Sequence, residues 1–131
     1  MAKENKDQKT KTKEDCIFCK IVSGEIKSEK IYEDDNFFVI NDIKPIAKGH
    51  CLIITKNHYE TILDMPSTLG TELLSLIKKQ GLRLIKDSGA EGFNLVENVF
   101  SAAGQIVMHV HFHVIPRKKD DGLHMFEDNP K

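Results

Sequence analysis

Three of the six histidines fall in one run, His109-Val110-His111-Phe112-His113-Val114-Ile115-Pro116. Strict alternation of histidine with apolar residues is the pattern of a strand with one apolar face. Side chains two apart share a face and stand about 6.6 Å apart along it. The apolar set is expected to face the core beneath a helix, which leaves the histidine row presented outward. Two chemistries suit such a row. Histidines at i and i+2 can hold one metal, as hydrolytic zinc sites require. Alternatively one imidazole attacks phosphorus. It is largely neutral near pH 7 and needs no separate base, and its phosphoramidate is a good leaving group for water.

The loop before the row adds to the second chemistry. Asn98 and Gln105 carry neutral hydrogen-bond donors, and Gly104 lets the backbone approach a ligand closely. Cys16 and Cys19 are spaced like half of a zinc site, but no further ligand pair follows at finger spacing. The nearest histidines are His50 and His58. A dithiol redox pair is the alternative, although the usual strand-to-helix context is missing.

The elements that must position these groups follow from periodicity and punctuation. Asp15 can cap a short helix from Cys16 to Val22, ended by Gly24. Ile31 to Glu33 and Phe37 to Asn41 are predicted strands around the turn Asp34-Asp35-Asn36. Gly49 to Thr55 is a third strand. Pro66-Ser67 opens one long helix to about Asp87, with Leu69, Leu73, Leu76, Ile77, Leu84 and Ile85 at helical spacing and Gly89 as its stop. Gly81 inside that helix points either to close packing, such as a subunit contact, or to a neutral lapse in propensity. Phe93 to Asn98 and His109 to Ile115 are the last strands, with Pro116 expected to stop the second. Strands around one long helix predict an α+β fold with a mainly antiparallel sheet.

The chain of 131 residues has net charge −1 and fits one domain. That balance gives no reason to expect DNA, RNA or a membrane surface as partner. No apolar run approaches the roughly 20 residues of a transmembrane helix. Residues 1–14 carry five lysines up to Lys13 and are expected to be a disordered tail. The domain is expected over 15–118 and a polar tail over 119–131. Three cysteines argue against a disulfide framework and, with the absence of a secretory leader, for a cytoplasmic protein.

Several blocks together resemble the histidine triad superfamily, specifically Hint-like proteins of prokaryotic type that keep zinc cysteines. They are Asp15-Cys16-Ile17-Phe18-Cys19-Lys20-Ile21, Asn41-Asp42-Ile43, the run from Gly49 to His58, Gly104-Gln105 and the His109–Pro116 run. The resemblance covers about residues 15 to 118. It implies a five-stranded antiparallel sheet with one long and one short helix, and a homodimer with a continuous sheet. It implies a nucleotidyl hydrolase or transferase acting on a purine nucleotide, AMP-type by expectation. By position, His111 matches the nucleophile and His113 a phosphate-contacting histidine. Asp42 matches the ribose-binding carboxylate, and Phe18, Ile21 and Ile43 match the base pocket. The structural zinc would take Cys16, Cys19, His58 and His109, with His50 as rival to His58. His111 would need its proton on Nδ1, held by a backbone carbonyl. Two positions depart from the family pattern. Ile106 stands where a hydroxyl residue usually follows Gly-Gln, and Val99 follows Asn98 where glycine is usual. A nucleotide-binding or scaffold protein with vestigial catalysis, and a metallohydrolase with zinc on the row itself, are the competing functions.

Overall fold

The computed structural model describes residues 12–125. The expected N-terminal tail lies outside the described residues except for 12–14, where Cys16 N–H donates to the Lys13 carbonyl at 3.1 Å. Helix α1 (Ile17–Ser23) comes first, then strands β1 (Lys30–Glu33), β2 (Phe37–Asn41) and β3 (Cys51–Thr55). Helix α2 (Gly70–Ser88) follows a 3₁₀ turn at Ser67–Leu69, and strands β4 (Gly92–Val96) and β5 (His111–Arg117) complete the fold. The five strands form one sheet in the order β1-β2-β3-β5-β4, with every pair antiparallel. The α+β architecture predicted from the sequence is the one observed.

Local chemistry explains most boundaries. The cap of α1 is Cys16 rather than Asp15, with its Sγ accepting from Cys19 N–H at 3.5 Å. Gly24 ends α1 at φ 87°. Asp34 Oδ1 accepts from the N–H groups of Asn36 and Phe37, which closes the β1–β2 turn. Pro116 does not stop β5 but lies inside it, opposite Phe93. Pairing with β3 ends at Val114, so Pro116 has a neighbouring strand on one side only, where a missing N–H is tolerated.

One core cluster packs Leu73, Leu76 and Leu84 of α2 onto Val39, Ile53, Phe112 and Val114. Gly81 belongs to this contact. A Cβ there would sit 2.3 Å from Phe93 Cε2, so the close approach lies within the chain. The opposite face of the sheet is also covered. Phe18, Cys19 and Ile21 of α1 pack on Phe38, Ile40, Leu52 and Ile54. The histidine row therefore runs beneath α1 instead of lying open: His109 is fully buried, and His111 and His113 are half-buried. All five residues of β3 are buried because the sheet is roofed on both faces.

Candidate functional site

The row divides among different partners. His109 precedes β5, and its Nε2–H donates to the Thr55 carbonyl at 2.7 Å. That bond leaves Nδ1 as the bare lone pair, aimed at the cysteines. Cys16 Sγ lies 3.3 Å from His109 Nδ1, and Cys19 Sγ lies 3.5 Å from it. His58 Nδ1 is 3.3 Å from Cys19 Sγ and 3.2 Å from His109 Nδ1. All four donor atoms lie within 4.8 Å of one another.

Two thiols and two imidazole nitrogens at these separations fit one tetrahedral ion with bonds of about 2.0–2.3 Å. Burial pushes the Cys19 thiol up to about 11 and holds His109 down at about 4. The imidazole is then neutral, as a ligand must be, and a cation would displace the thiol protons. His50 lies apart from this group. Thr55 was not singled out from the sequence. Its carbonyl acts as an orienting acceptor, a role that residue type does not reveal.

His111 Nδ1–H donates to the His109 carbonyl at 2.6 Å, which leaves Nε2 as the free lone pair. Burial lowers its pKa, opposed in part by that hydrogen bond. The Phe18 ring meets His111 edge-on at a centroid distance of 5.2 Å. His113 stands 5.1 Å from His111, centroid to centroid. On its far side, Nδ1 of His113 is 2.9 Å from His50 Nε2. Asp42 Oδ2 lies 3.4 Å from His50 Nε2, and Asp42 Oδ1 accepts from Lys44 N–H at 2.9 Å.

The remaining expected ligand residues are placed unevenly. Phe18 and Ile21 are 6 % and 5 % exposed, while Ile43 is 85 % exposed. Gly104 takes φ 99° beside Asn98, which a side chain would resist. Gln105 does not point a free donor at a ligand. Its Oε1 accepts from Phe100 N–H at 2.6 Å, and its Nε2 donates to the carbonyls of Glu60 and Val107. Three backbone groups engage it, so it ties the loop together. Ile106 is 90 % exposed.

An imidazole with a free Nε2 lone pair, a second histidine beside it and a carboxylate at the strand end, on a five-stranded sheet, define a class. The HIT domain model matches residues 23–120, and the chain belongs to the HIT (histidine triad) family. It is 46 % identical over 109 residues to a HIT-like protein of Methanocaldococcus jannaschii, covering 82 % of each chain. It is 39 % identical to the adenylylsulfatase HINT3 of Arabidopsis thaliana, spanning 92 % of this chain and 61 % of that protein. It is 40 % identical to the adenosine 5'-monophosphoramidase HNT1 of Candida albicans, over 80 % of this chain and 72 % of that one. Among solved structures, a zinc-bound histidine triad protein from Mycobacterium smegmatis superposes with TM-score 0.80 at 37 % identity, covering 85 % and 81 % of the two chains.

Proposed function

We propose that the protein is a nucleotide hydrolase or transferase that works at the α-phosphorus through a nucleotidyl intermediate on His111. The carrying observation is the His111 Nδ1–H bond to the His109 carbonyl, which leaves the Nε2 lone pair free without a general base. In the first step Nε2 bonds to phosphorus as the bond to the leaving group breaks, and the leaving group departs with a proton taken from solvent, which the attacking water of the second step returns. In the second step water attacks phosphorus, the P–N bond breaks, and nucleoside monophosphate leaves with the imidazole neutral again.

His113 contacts the phosphate, Asp42 takes the ribose hydroxyls, and Phe18, Ile21 and Ile43 flank the base. Asn98 and the Gly104 turn line the phosphate side. Phosphoramidates and dinucleoside polyphosphates are the proposed substrates. The adenylyl chemistry named for HINT3 and HNT1 supports an adenosine nucleotide. Cys16, Cys19, His58 and His109 would hold a structural zinc, supported by their convergence and by the zinc-bound neighbour. Four protein ligands leave no open position for substrate, so the ion would organise the site without joining the chemistry. A homodimer through a continuous sheet completes the assembly.

The experiment is a substrate panel on wild type, His111→Asn and Ile106→Ser, with acid-labile nucleotide trapped on the protein as the direct readout. Wild-type turnover by His111→Asn sinks the proposal. A binding protein without turnover is the second reading, favoured by the exposed Ile106, which has no hydroxyl to donate. Nucleotide binding with no turnover on any panel member would select it. Zinc on the row itself is disfavoured by geometry, because His109, His111 and His113 engage different partners.

A further inference from the structure

Phe100 has a backbone conformation that its residue type does not explain. It stands at φ 69° and ψ 162°, a region essentially confined to glycine. Three hydrogen bonds hold it there. Its N–H donates to Gln105 Oε1 at 2.6 Å, and its carbonyl accepts from Ala103 N–H at 3.0 Å and from Gln105 N–H at 3.1 Å. A glycine would make the same bonds without strain. The core does not call for the ring either, because Phe100 is 50 % exposed and belongs to neither apolar cluster. The same loop carries the exposed Ile106. The bond from Gln105 Nε2 to the Glu60 carbonyl ties it to residues 59–66, where Leu63 is exposed as well. An aromatic ring held in a strained conformation and left half in water points to contact with a ligand.

The topology indicates which part of a ligand. Strand β5 lies between β3 and β4. Asp42, the proposed ribose carboxylate, follows β2 on the β3 side. On the other side β4 makes its last pair at Val96 with His113, and its antiparallel course carries the chain past the level of His111 into the loop 97–108. Displacement at phosphorus is in line, so the leaving group stands opposite His111 Nε2 and away from the ribose. The loop is the wall left to flank it. Neither 97–108 nor 59–66 contains a lysine or arginine, and their only charged residues are Glu97, Glu60 and Asp64. A polyphosphate or sulfate leaving group would meet apolar surface and carboxylates there. We propose that Phe100 is a specificity-determining residue which, with Ile106, flanks the leaving group, so that the chain selects nucleoside phosphoramidates of aromatic or other apolar amines over dinucleoside polyphosphates. The proposal rests on the nucleotidyl-transfer reading and names its substrate class. The P–N bond to the amine breaks as the bond to His111 Nε2 forms, and the amine leaves with a proton taken from solvent.

The test gives the full chain two adenosine phosphoramidates, one of phenethylamine and one of ammonia, with diadenosine tetraphosphate as the anionic case. Wild type is expected to rank them in that order by kcat/KM. Phe100→Gly keeps the backbone form and removes the ring, so the phenethyl-to-ammonia ratio should fall about three- to tenfold, the worth of one aromatic contact. Phe100→Leu should fall between the two. Ile106→Lys supplies a cation and should raise turnover of the tetraphosphate relative to the amides. An unchanged ratio in Phe100→Gly overturns the proposal, as does a wild type that prefers the tetraphosphate. A shifted monomer–dimer balance in Phe100→Gly with the ratio intact would assign the ring to a second copy of the chain and overturn it too. Calorimetry on His111→Asn reads the flank without chemistry. The phenethyl amide should bind about three- to tenfold tighter than the ammonia amide, and equal affinities overturn the proposal. That preference in binding with no turnover by wild type would keep the flank and sink nucleotidyl transfer, so the two readings fail separately.

Discussion

Gln105→Ala separates two roles for one residue of the loop before the histidines. Gln105 is 4 % exposed and makes three hydrogen bonds to backbone: from Phe100 N–H at 2.6 Å, and to the Glu60 and Val107 carbonyls at 2.7 and 3.0 Å. Neutral bonds contribute about 0.5–1.5 kcal/mol each, so their loss together costs about 1.5–4.5 kcal/mol. One term offsets part of that. Phe100 is held at φ 69°, a conformation that costs a non-glycine residue about 1–3 kcal/mol. Releasing its N–H lets some of that strain relax. The expected net loss is about 2 kcal/mol, or a Tm lower by about 8 °C for a domain of this size.

Gln105→Glu should be worse, because a carboxylate would face two carbonyls. Urea unfolding followed by circular dichroism at fixed protein concentration measures both, since the chain has no tryptophan to report by fluorescence. A phosphate-donor role predicts the reverse pattern, with stability unchanged and kcat reduced. If Gln105→Ala unfolds within about 0.5 kcal/mol of wild type, the scaffold role is refuted.

Further outcomes follow from other contacts. Gly81→Ala gains about 0.5–1 kcal/mol of helix propensity but forces its Cβ against the Phe93 ring, and overpacking costs about 1–3 kcal/mol. Gly81→Ala should therefore destabilise in wild type and stabilise in a Phe93→Leu background, a sign change that a double-mutant cycle reads. Cys19→Ser should lower bound zinc and Tm together, and a chelator should lower the Tm of wild type but not of the variant. At metal concentrations about a thousandfold above Kd the difference is about 4 kcal/mol. Burial, with His111 and His50 adding to it and Asp42 opposing, holds His113 at about 4 against an ordinary 6.5. The unfolded chain therefore binds this proton first, and the stability is complete above about 6.5 and lost as pH falls from there to about 4. Partial exposure reduces the roughly 3 kcal/mol that gap would imply to nearer 1–2. Urea midpoints at pH 7 and pH 5 should converge more in His113→Asn than in wild type, and equal slopes would contradict the assignment.

Period-two alternation exposed the histidine strand, and leucine spacing exposed α2, because both patterns report burial on one face. The roof over the histidines was harder to read. Helix α1 has seven residues, too few for periodicity to show which side it buries. Cys16 as cap is hidden for a related reason: its sulfur caps the helix and also belongs to the cluster with Cys19, His58 and His109, while Asp15 is the ordinary cap residue. Pro116 departs from its expected place at the end of β5 because a proline's tolerance depends on whether a neighbouring strand remains, which is a property of the register. Gln105 and His50 share a different difficulty. Residue type shows what each can donate, but only the fold shows that Gln105 meets backbone on three sides and that Ile46 N–H has taken one nitrogen of His50.

His109 joins the two chemical groups through a single residue. Its ring lies among Cys16, Cys19 and His58, and its carbonyl accepts the proton that sets the tautomer of His111. Thr55 holds the ring from the β3 side, and Val110 N–H, one residue on, donates to the Tyr59 carbonyl at 2.7 Å. The backbone at His109 is thus restrained at the ring and at the following N–H before β5 begins. A carbonyl so restrained keeps its direction, and a hydrogen bond of 2.6 Å needs that direction to be kept. The cysteines and His58 therefore bear on His111 without touching it, through the orientation of one peptide group. A metal at that site would act on the same peptide, which is how a structural ion could tune a reaction in which it takes no part.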